Sequence, residues 1–173
     1  SNHVQFIMFY MCSQRVQLAE GFLDYLWKKF TAINSSPITK QTCAYYIGSY
    51  LARAKYVSTE MCTASLQLMI SWAHAYADKQ AISQANYSDH ASNFQLHRTY
   101  YSLCQTIFYV IIFRSRQLFD ERFIDLVRTW KLNDIVSCKL NPLKYCFTAV
   151  CLTFIKLFFS PLIVIHSINV KIA

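Results

Sequence analysis

The sequence predicts an all-α protein, and two observations lead to that prediction. Two glycines and three prolines in 173 residues leave little material for the tight turns of β-hairpins. Apolar residues also recur at three- and four-residue steps through successive segments, as they do on one face of an amphipathic helix. Because 54% of the residues are apolar and 16% are aromatic, the chain has enough apolar surface to form a sizeable core.

The N-terminal part of the chain predicts three helices. A short helix is expected from about Val4 to Cys12, and a second from Val16 to Ile33. Ser36 and Pro37 follow a break, and they suit the N-cap and the first position of a third helix, which ends near Tyr56. The same pair also fits a proline-directed kinase, so the residues leave both roles open.

The segment from Gln41 to Tyr56 is predicted to dock through small residues and to end in positive charge. Gly48 lies where a missing side chain would let another helix come close, while Arg53 and Lys55 lie off the apolar stripe and should point to solvent. The stripe consists of Ala44, Ile47, Leu51 and Ala54.

Two long helices separated by a loop are expected in the middle of the chain. Ser58 or Thr59 is a suitable N-cap for the first. Residues 79–94 are polar and lack periodicity, which predicts a mobile loop. Residues 95–117 then form a helix that is apolar nearly all round, so it should be buried between layers.

The C-terminal part is predicted to contain two more helices and a tail. Residues 120–131 form the shorter helix, and Asn141 with Pro142 repeats the cap-then-proline pattern at the start of a helix to about Phe159. Antiparallel helix pairs joined by short turns are the unit of a HEAT- or armadillo-like α-solenoid. We therefore expect residues 1–159 to form one helical repeat segment and residues 160–173 a divergent apolar tail.

Two apolar runs raise the alternative of a membrane-protein fragment. The run from Leu143 to Val170 is interrupted by Lys156 and Pro161, and the run from Thr99 to Phe113 has only 15 residues. A helix that spans a bilayer needs about 20 consecutive apolar residues, so no membrane segment is predicted.

Neither catalytic motifs nor metal-ligand spacings are present in the sequence. The seven cysteines are odd in number and lack CxxC spacing, which favours a reducing environment in which they pack as small apolar side chains. Five scattered histidines form no ligand pattern with cysteine or carboxylate. We therefore expect no enzyme activity, no cofactor, no metal and no small-molecule substrate.

The net charge of +8 favours acidic partners or nucleic acid. Lys28 and Lys29 follow a tryptophan, and together with Lys40 they are candidates for proximity to DNA. Arg114 and Arg116 cluster at a predicted helix end and are candidates for a further basic contact. The alternative is that all of these are ordinary solvated charges.

Five blocks of the sequence carry a resemblance to a known family. Residues 46–57, YIGSYLARAKYV, resemble the best-known segment of the RNA polymerase I-specific transcription initiation factor family, also called transcription initiation factor IA. Colinear blocks at 4–12, 21–29, 108–118 and 140–144 are similar to the family as well. The resemblance covers roughly residues 4–155 and departs from about Ser160, so we expect an internal fragment of the factor with a genuine tail or untranslated-region readthrough.

This resemblance implies a helical scaffold that joins RNA polymerase I to the promoter selectivity factor at ribosomal DNA, in the nucleolus. It also implies that the segment Leu51, Ala52, Arg53, Ala54 and Lys55 binds subunits of the selectivity factor. Arg53 and Lys55 would be the exposed contacts. The alternatives are that all five residues only pack the helix, or that the chain is a generic α-solenoid adaptor.

We predict that the isolated chain self-associates through its C-terminal end. The predicted helix 142–159 is apolar on more than one side, and a terminal solenoid repeat needs a polar outer face. Exposed apolar patches well above a few hundred Å² are rare in monomers. Size-exclusion chromatography should therefore show oligomers, and appending the next two repeats of the family should suppress them. A soluble monomer would contradict this prediction.

Overall fold

The computed structural model describes residues 2–13, 15–83 and 90–158, with side chains for residues 7–13, 15, 17–82 and 94–158. All regular elements in this part of the chain are helices, which confirms the predicted all-α class. The helices are α1 Asn2–Ser13, α2 Val16–Thr31, α3 Pro37–Arg53, α4 Thr59–Ser83, α5 His90–Phe113, α6 Ser115–Leu118, α7 Ile124–Thr129, α8 Leu132–Ser137, α9 Pro142–Tyr145 and α10 Thr148–Phe158.

Helices α3, α5 and α10 form one layer in which all three run in the same direction. Gly48 of α3 faces Thr106 of α5, and further along the same two helices Arg53 contacts Tyr109. On the other side of α5, the backbone N–H of Phe147, just before α10, donates a hydrogen bond to Gln105 Oε1 at 2.9 Å. Towards the C-terminus of one helix the contacts thus also move towards the C-terminus of its neighbour, so the helices are parallel. The second helices of successive solenoid repeats are arranged in the same way.

Helices α2 and α4 precede α3 and α5 and complete two helix pairs. Four residues and a cap separate α2 from α3, which is short enough to make neighbouring helices antiparallel. Helix α4 pairs with the start of α5 through Tyr76, whose hydroxyl lies 2.9 Å from His97 Nδ1 and whose ring stacks on Tyr100 at 5.2 Å. The predicted antiparallel pairs are therefore present.

Helix α5 lies at the centre of the core, as its apolar sequence predicted. Seven of its apolar side chains are fully buried: Tyr100, Leu103, Cys104, Ile107, Phe108, Val110 and Ile111. Phe108 stacks on Phe154 of α10 with ring centroids 4.4 Å apart. Burying one large apolar side chain contributes about 1.5–3 kcal/mol, so this helix supplies much of the stability of the layer.

Both predicted N-caps of the first two helix pairs are confirmed. The backbone N–H of Thr39 donates to Ser36 Oγ at 3.1 Å, and Pro37 follows at the first helical position. The backbone N–H of Met61 donates to Ser58 Oγ at 3.1 Å, so Ser58 rather than Thr59 is the cap of α4. Each hydroxyl satisfies a donor that the first turn of a helix leaves without a partner.

The predicted loop at 79–94 is wrong for most of its length. Helix α4 continues to Ser83 because lysine, glutamine and alanine at 79–81 are good helix formers. Helix α5 already begins at His90, and its first turns are held by Phe94, whose ring packs on Tyr145 at 5.6 Å. The remaining loop positions, 84–89, lie outside the described residues.

The region after α5 departs furthest from prediction. Helix α5 ends at Phe113 rather than residue 117, and the helix expected at 120–131 is limited to Ile124–Thr129. Lys131 then adopts a left-handed conformation with φ 48°. The short helices of this region pack separately on the two long ones: α6 contacts both α4 and α5, α8 contacts α4, and α9 contacts α5.

The helix expected from Asn141 to Phe159 is also divided. Asn141 makes no side-chain cap and is left-handed with φ 45°, a conformation that asparagine tolerates. Cys146 is extended and separates α9 from α10, because the N–H of Phe147 bonds to Gln105 instead of to a carbonyl of its own helix. The tail predicted at 160–173 lies outside the described residues and stays a prediction.

Among the helices in residues 2–13, 15–83 and 90–158, none is both long enough and apolar enough to cross a membrane.

The close approach of α3 to α5 depends on Gly48. A Cβ at this position would lie 2.9 Å from Thr106 Cγ2, closer than carbon atoms pack. Thr106 is buried and its hydroxyl donates to the carbonyl of Ser102 at 2.9 Å, so its methyl group has little freedom to move.

We predict that Gly48→Ala lowers the free energy of unfolding by up to about 2 kcal/mol, because overpacking outweighs the gain in helix propensity. Thr106→Ser removes Cγ2 and keeps the hydroxyl, so the double variant should be more stable than the sum of the single changes. Urea unfolding followed by circular dichroism measures this coupling. Additive effects of the two changes would show that the helices do not meet at this point.

Candidate protein-interaction surface at the end of helix α3

The residues from Leu51 to Lys55 divide into buried and exposed side chains. Leu51 and Ala54 belong to the core, whereas Arg53 and Lys55 are exposed and Ala52 is half-buried. This is the orientation that the helical pattern predicted. The segment spans the last turn of α3 and the start of a tight turn, in which the N–H of Val57 donates to the carbonyl of Ala54 at 3.1 Å.

Arg114 holds this turn in place. Its Nε donates to the carbonyl of Leu51 at 2.7 Å, and its Nη2 donates to the carbonyls of Ala54 at 2.9 Å and Val57 at 3.2 Å. The last carbonyls of a helix lack partners within the helix, and the helix dipole adds negative potential at this end. A buried guanidinium therefore satisfies both the hydrogen-bonding and the electrostatic requirements of the C-terminus of α3.

The prediction of Arg114 as an exposed basic contact is consequently wrong. Its side chain is only 6% exposed and is directed into the protein by the end of α5, so it cannot meet a partner. Arg116, two residues later, is exposed and remains a candidate contact. The sequence shows two similar arginines, and only the packing of α5 on α3 distinguishes them.

A groove of about 300 Å³ lies beside Arg53, and we name it the aromatic groove. Arg53 Nη2 donates to the hydroxyl of Tyr109 at 3.2 Å, which holds the guanidinium at the rim of the groove. Tyr45 and Phe147 are well exposed along its walls. Its lining comprises Tyr45, Gly48, Ser49, Arg53, Gln105, Thr106, Tyr109, Phe147 and Val150.

The aromatic groove could not be predicted from the sequence, because its residues come from three distant parts of the chain: α3, α5, and α10 with the preceding Phe147. Tyrosine, phenylalanine and arginine are enriched in protein–protein interfaces, where their large side chains exclude water, and tyrosine and arginine also donate hydrogen bonds. The composition of this surface therefore suits protein contact.

The lysines proposed near DNA lie at the other end of α3. Lys40 is half-buried in the first turns of α3. Burial raises the pKa of the Cys43 thiol, and the nearby charge of Lys29 offsets this only in part. Lys28 Nζ lies 2.7 Å from Asp24 Oδ2. At 1.5 Å per residue, Lys40 and Arg53 are about 20 Å apart, so the structure forms two separate basic regions.

The described cysteines are suited to packing rather than to chemistry. All seven are free, and six are buried. Burial raises the pKa of the Cys62 thiol to about 11, and the nearby charge of Arg114 offsets this only in part. Burial likewise raises the pKa of Cys104 and Cys146, so these thiols stay neutral and are poor nucleophiles.

Among the described residues, no group of three or more His, Cys, Asp or Glu side chains is arranged to hold a metal ion.

Comparison with known protein families identifies the family of this chain. Residues 1–160 match the family model of the RNA polymerase I specific transcription initiation factor RRN3. The chain belongs to this family. The resemblance found in the sequence blocks between residues 4 and 155 is thereby confirmed.

Individual relatives agree with the family model. The chain is 39% identical over 153 residues to the mouse RNA polymerase I-specific transcription initiation factor RRN3, covering 87% of this chain and 23% of the mouse protein. It is 29% identical over 164 residues to the Caenorhabditis elegans factor tif-1A, covering 87% and 25% of the two chains. The chain therefore spans about a quarter of the length of these relatives.

A solved structure shows the same fold. The crystal structure of RNA polymerase I transcription initiation factor Rrn3 matches with a TM-score of 0.72 over 97% of this chain and 35% of that chain, at 24% identity. This likeness supports the predicted all-α, solenoid-like architecture.

We predict that Arg114→Ala lowers the free energy of unfolding by about 2–5 kcal/mol, because three carbonyl acceptors lose a charged donor inside the protein. Arg114→Lys should recover only part of this, since an ammonium group lacks the planar fork that reaches several acceptors. Urea unfolding measures each change.

Arg116→Ala is the matched control for these variants, and it should change stability by no more than about 0.5 kcal/mol because the side chain is exposed. Equal effects of Arg114→Ala and Arg116→Ala would contradict the role assigned to the buried guanidinium.

Proposed function

We propose that this chain is part of an RNA polymerase I transcription initiation factor that links the polymerase to the promoter-bound selectivity factor. Membership of the RRN3 family supports this, since the mouse and worm relatives are named as RNA polymerase I-specific transcription initiation factors. The chain acts as a helical scaffold in the transcription of ribosomal RNA genes, in the nucleus and within the nucleolus. Its contribution is to hold protein-binding side chains in fixed relative positions.

The segment Leu51–Lys55 is the proposed contact with the selectivity factor. The observation that carries this assignment is that Arg53 and Lys55 are exposed while Leu51 and Ala54 are anchored in the core. The two cations therefore project from a backbone that is fixed on its other side. A rigid presentation of this kind lowers the entropy lost on binding.

The charges of Arg53 and Lys55 are also not neutralised within the described residues. Arg53 donates to the phenol of Tyr109, which carries no charge, and neither Arg53 nor Lys55 forms an ion pair with a described carboxylate. An acidic surface on the selectivity factor would supply the missing counter-charge. Complementary charge of this type speeds association and selects the partner.

Promoter DNA is a second proposed neighbour. Lys28, Lys29 and Lys40 lie at the opposite end of α3, so DNA could approach without competing for the proposed selectivity-factor contact. Sequence-independent contacts of this kind would be made to phosphates and would weaken as salt increases.

We predict that Arg53→Ala combined with Lys55→Ala weakens binding of purified selectivity-factor subunits by about tenfold, or about 1.4 kcal/mol. Helicity should be unchanged, because both side chains are exposed. Titration calorimetry measures the affinity and circular dichroism measures the fold. Lys139→Ala with Lys156→Ala is the control, since it removes two exposed positive charges elsewhere on the protein.

Three results would overturn the assignment. Unchanged affinity in the Arg53 and Lys55 variant would show that these side chains do not contact the selectivity factor. A parallel loss of helicity and affinity would favour the alternative that the five residues only pack the helix. Failure of the unaltered intact factor to bind either polymerase I or the selectivity factor would favour a generic solenoid adaptor.

A further inference from the structure

A second and larger groove lies between helices α2 and α4, in the other layer of the solenoid. Its volume is about 420 Å³, and we name it the acidic groove. Its floor is formed by Leu23, Ile47 and Met69, all of which are buried. The groove exists because the wall contributed by α4 includes the small residues Ala64 and Ser65, which leave space between the two helices.

The two walls of the groove meet at one end. Phe30 of α2 contacts Trp72 of α4 edge-to-face, with ring centroids 5.0 Å apart. Towards the beginnings of both helices the walls separate and apolar side chains become accessible. Leu68 is 53% exposed, and Trp27 and Met61 are half-buried. The result is an apolar channel flanked by two helices, a shape into which a third helix packs by placing its side chains between theirs.

The charge of this groove is opposite to that of the chain as a whole. Glu20, Asp24 and Glu60 line it, and they are three of only nine acidic residues in a chain of net charge +8. Among the described residues that line it, none is lysine or arginine. Glu20 and Asp24 are one turn apart on α2 while Glu60 lies on α4, so negative charge borders the channel on both sides.

Most of this negative charge has no counter-charge within the described structure. Neither Glu20 nor Glu60 forms an ion pair with a described residue. Asp24 pairs with Lys28 at 2.7 Å, but both side chains are more than half exposed, and such surface pairs contribute little free energy. A positively charged ligand can therefore replace Lys28 at small cost.

We propose that the acidic groove binds a basic amphipathic helix of a partner protein. Apolar side chains of that helix enter the channel over Leu23 and Met69, next to Leu68. Lysine or arginine side chains on both flanks of its apolar stripe pair with Glu20 and Asp24 on one side and Glu60 on the other. The acidic groove lies on a different layer from Arg53 and binds a positively charged partner, whereas Arg53 and Lys55 are proposed to bind an acidic one. The two contacts are therefore independent.

A labelled synthetic helix of about 15–20 residues tests the proposal, with leucine along one face and lysine on both flanks. A second probe carries glutamate in place of every lysine. Fluorescence anisotropy with the 173-residue chain and with the intact factor should show binding of the lysine probe and at least tenfold weaker binding of the glutamate probe. Affinity for the lysine probe should fall as salt increases.

Matched variants locate the binding. The triple variant Glu20→Gln, Asp24→Asn and Glu60→Gln should lower the affinity for the lysine probe at least tenfold. Leu68→Ser should lower this affinity as well, because the leucine face of the probe loses an apolar neighbour. Asp120→Asn with Glu121→Gln and Asp125→Asn removes the same charge outside the groove and should leave the affinity unchanged. Arg53→Ala with Lys55→Ala should also leave it unchanged, which separates this proposal from the proposed function.

Five results would overturn the proposal. Equal affinity for the two probes would show that charge does not determine binding. An equal loss of affinity in the groove variant and in its charge-matched control would show only non-specific electrostatic attraction. Unchanged affinity in the groove variant would place the probe elsewhere. Binding by the 173-residue chain but not by the intact factor would show that another segment of the factor covers the groove. A dimer of the chain that the groove variant dissociates would identify a second copy as the occupant.

Discussion

The hydrogen bonds from Arg114 to the end of α3 are the interaction on which the proposed contact surface depends. One guanidinium reaches three carbonyls, those of Leu51, Ala54 and Val57, and so connects two helices that are far apart in sequence. Arg114 has no carboxylate partner in the part of the chain that the structure describes, and its buried charge is tolerated because the helix C-terminus supplies aligned carbonyl dipoles. The turn after α3 is thereby fixed, and with it the directions of Arg53 and Lys55.

This arrangement requires α3 and α5 to approach closely along their length. Gly48 permits the approach at Thr106, and the parallel course of the helices then brings Arg114 level with the end of α3. The close packing at Gly48 and the hydrogen bonds of Arg114 therefore act together to hold α3 against α5. The same parallel course continues to α10, where Phe154 stacks on Phe108, and this creates the exposed aromatic groove on the outer side of the layer.

The two layers present surfaces of different chemistry. The layer of α3, α5 and α10 carries Arg53 among tyrosine and phenylalanine side chains, while the layer of α2 and α4 carries a channel bordered by Glu20, Asp24 and Glu60. Opposite charges on separate faces would let a scaffold hold two partners at once and keep each from the other's site. A solenoid suits this role because its rigid helices fix the distance between such faces.

The helical class, the cap at Ser36, a cap at Ser58 or Thr59, the close contact at Gly48 and the outward direction of Arg53 and Lys55 could all be predicted from the sequence. These features depend on residues a few positions apart, where helical geometry decides which side chains share a face. The family was likewise recognisable from short colinear blocks, since each block is read locally.

The burial of Arg114, the division of the C-terminal helix and the two grooves depend on contacts between helices that are distant in the sequence. Arg114 and Arg116 look alike in sequence, and the packing of α5 on α3 buries the first and exposes the second. The helix expected from Asn141 is divided because Gln105, from another helix, accepts the N–H of Phe147. Both grooves join residues from three helices, so no local pattern could reveal them. Long-range contacts of this kind are set by how the helices pack, and sequence periodicity does not encode which helix meets which.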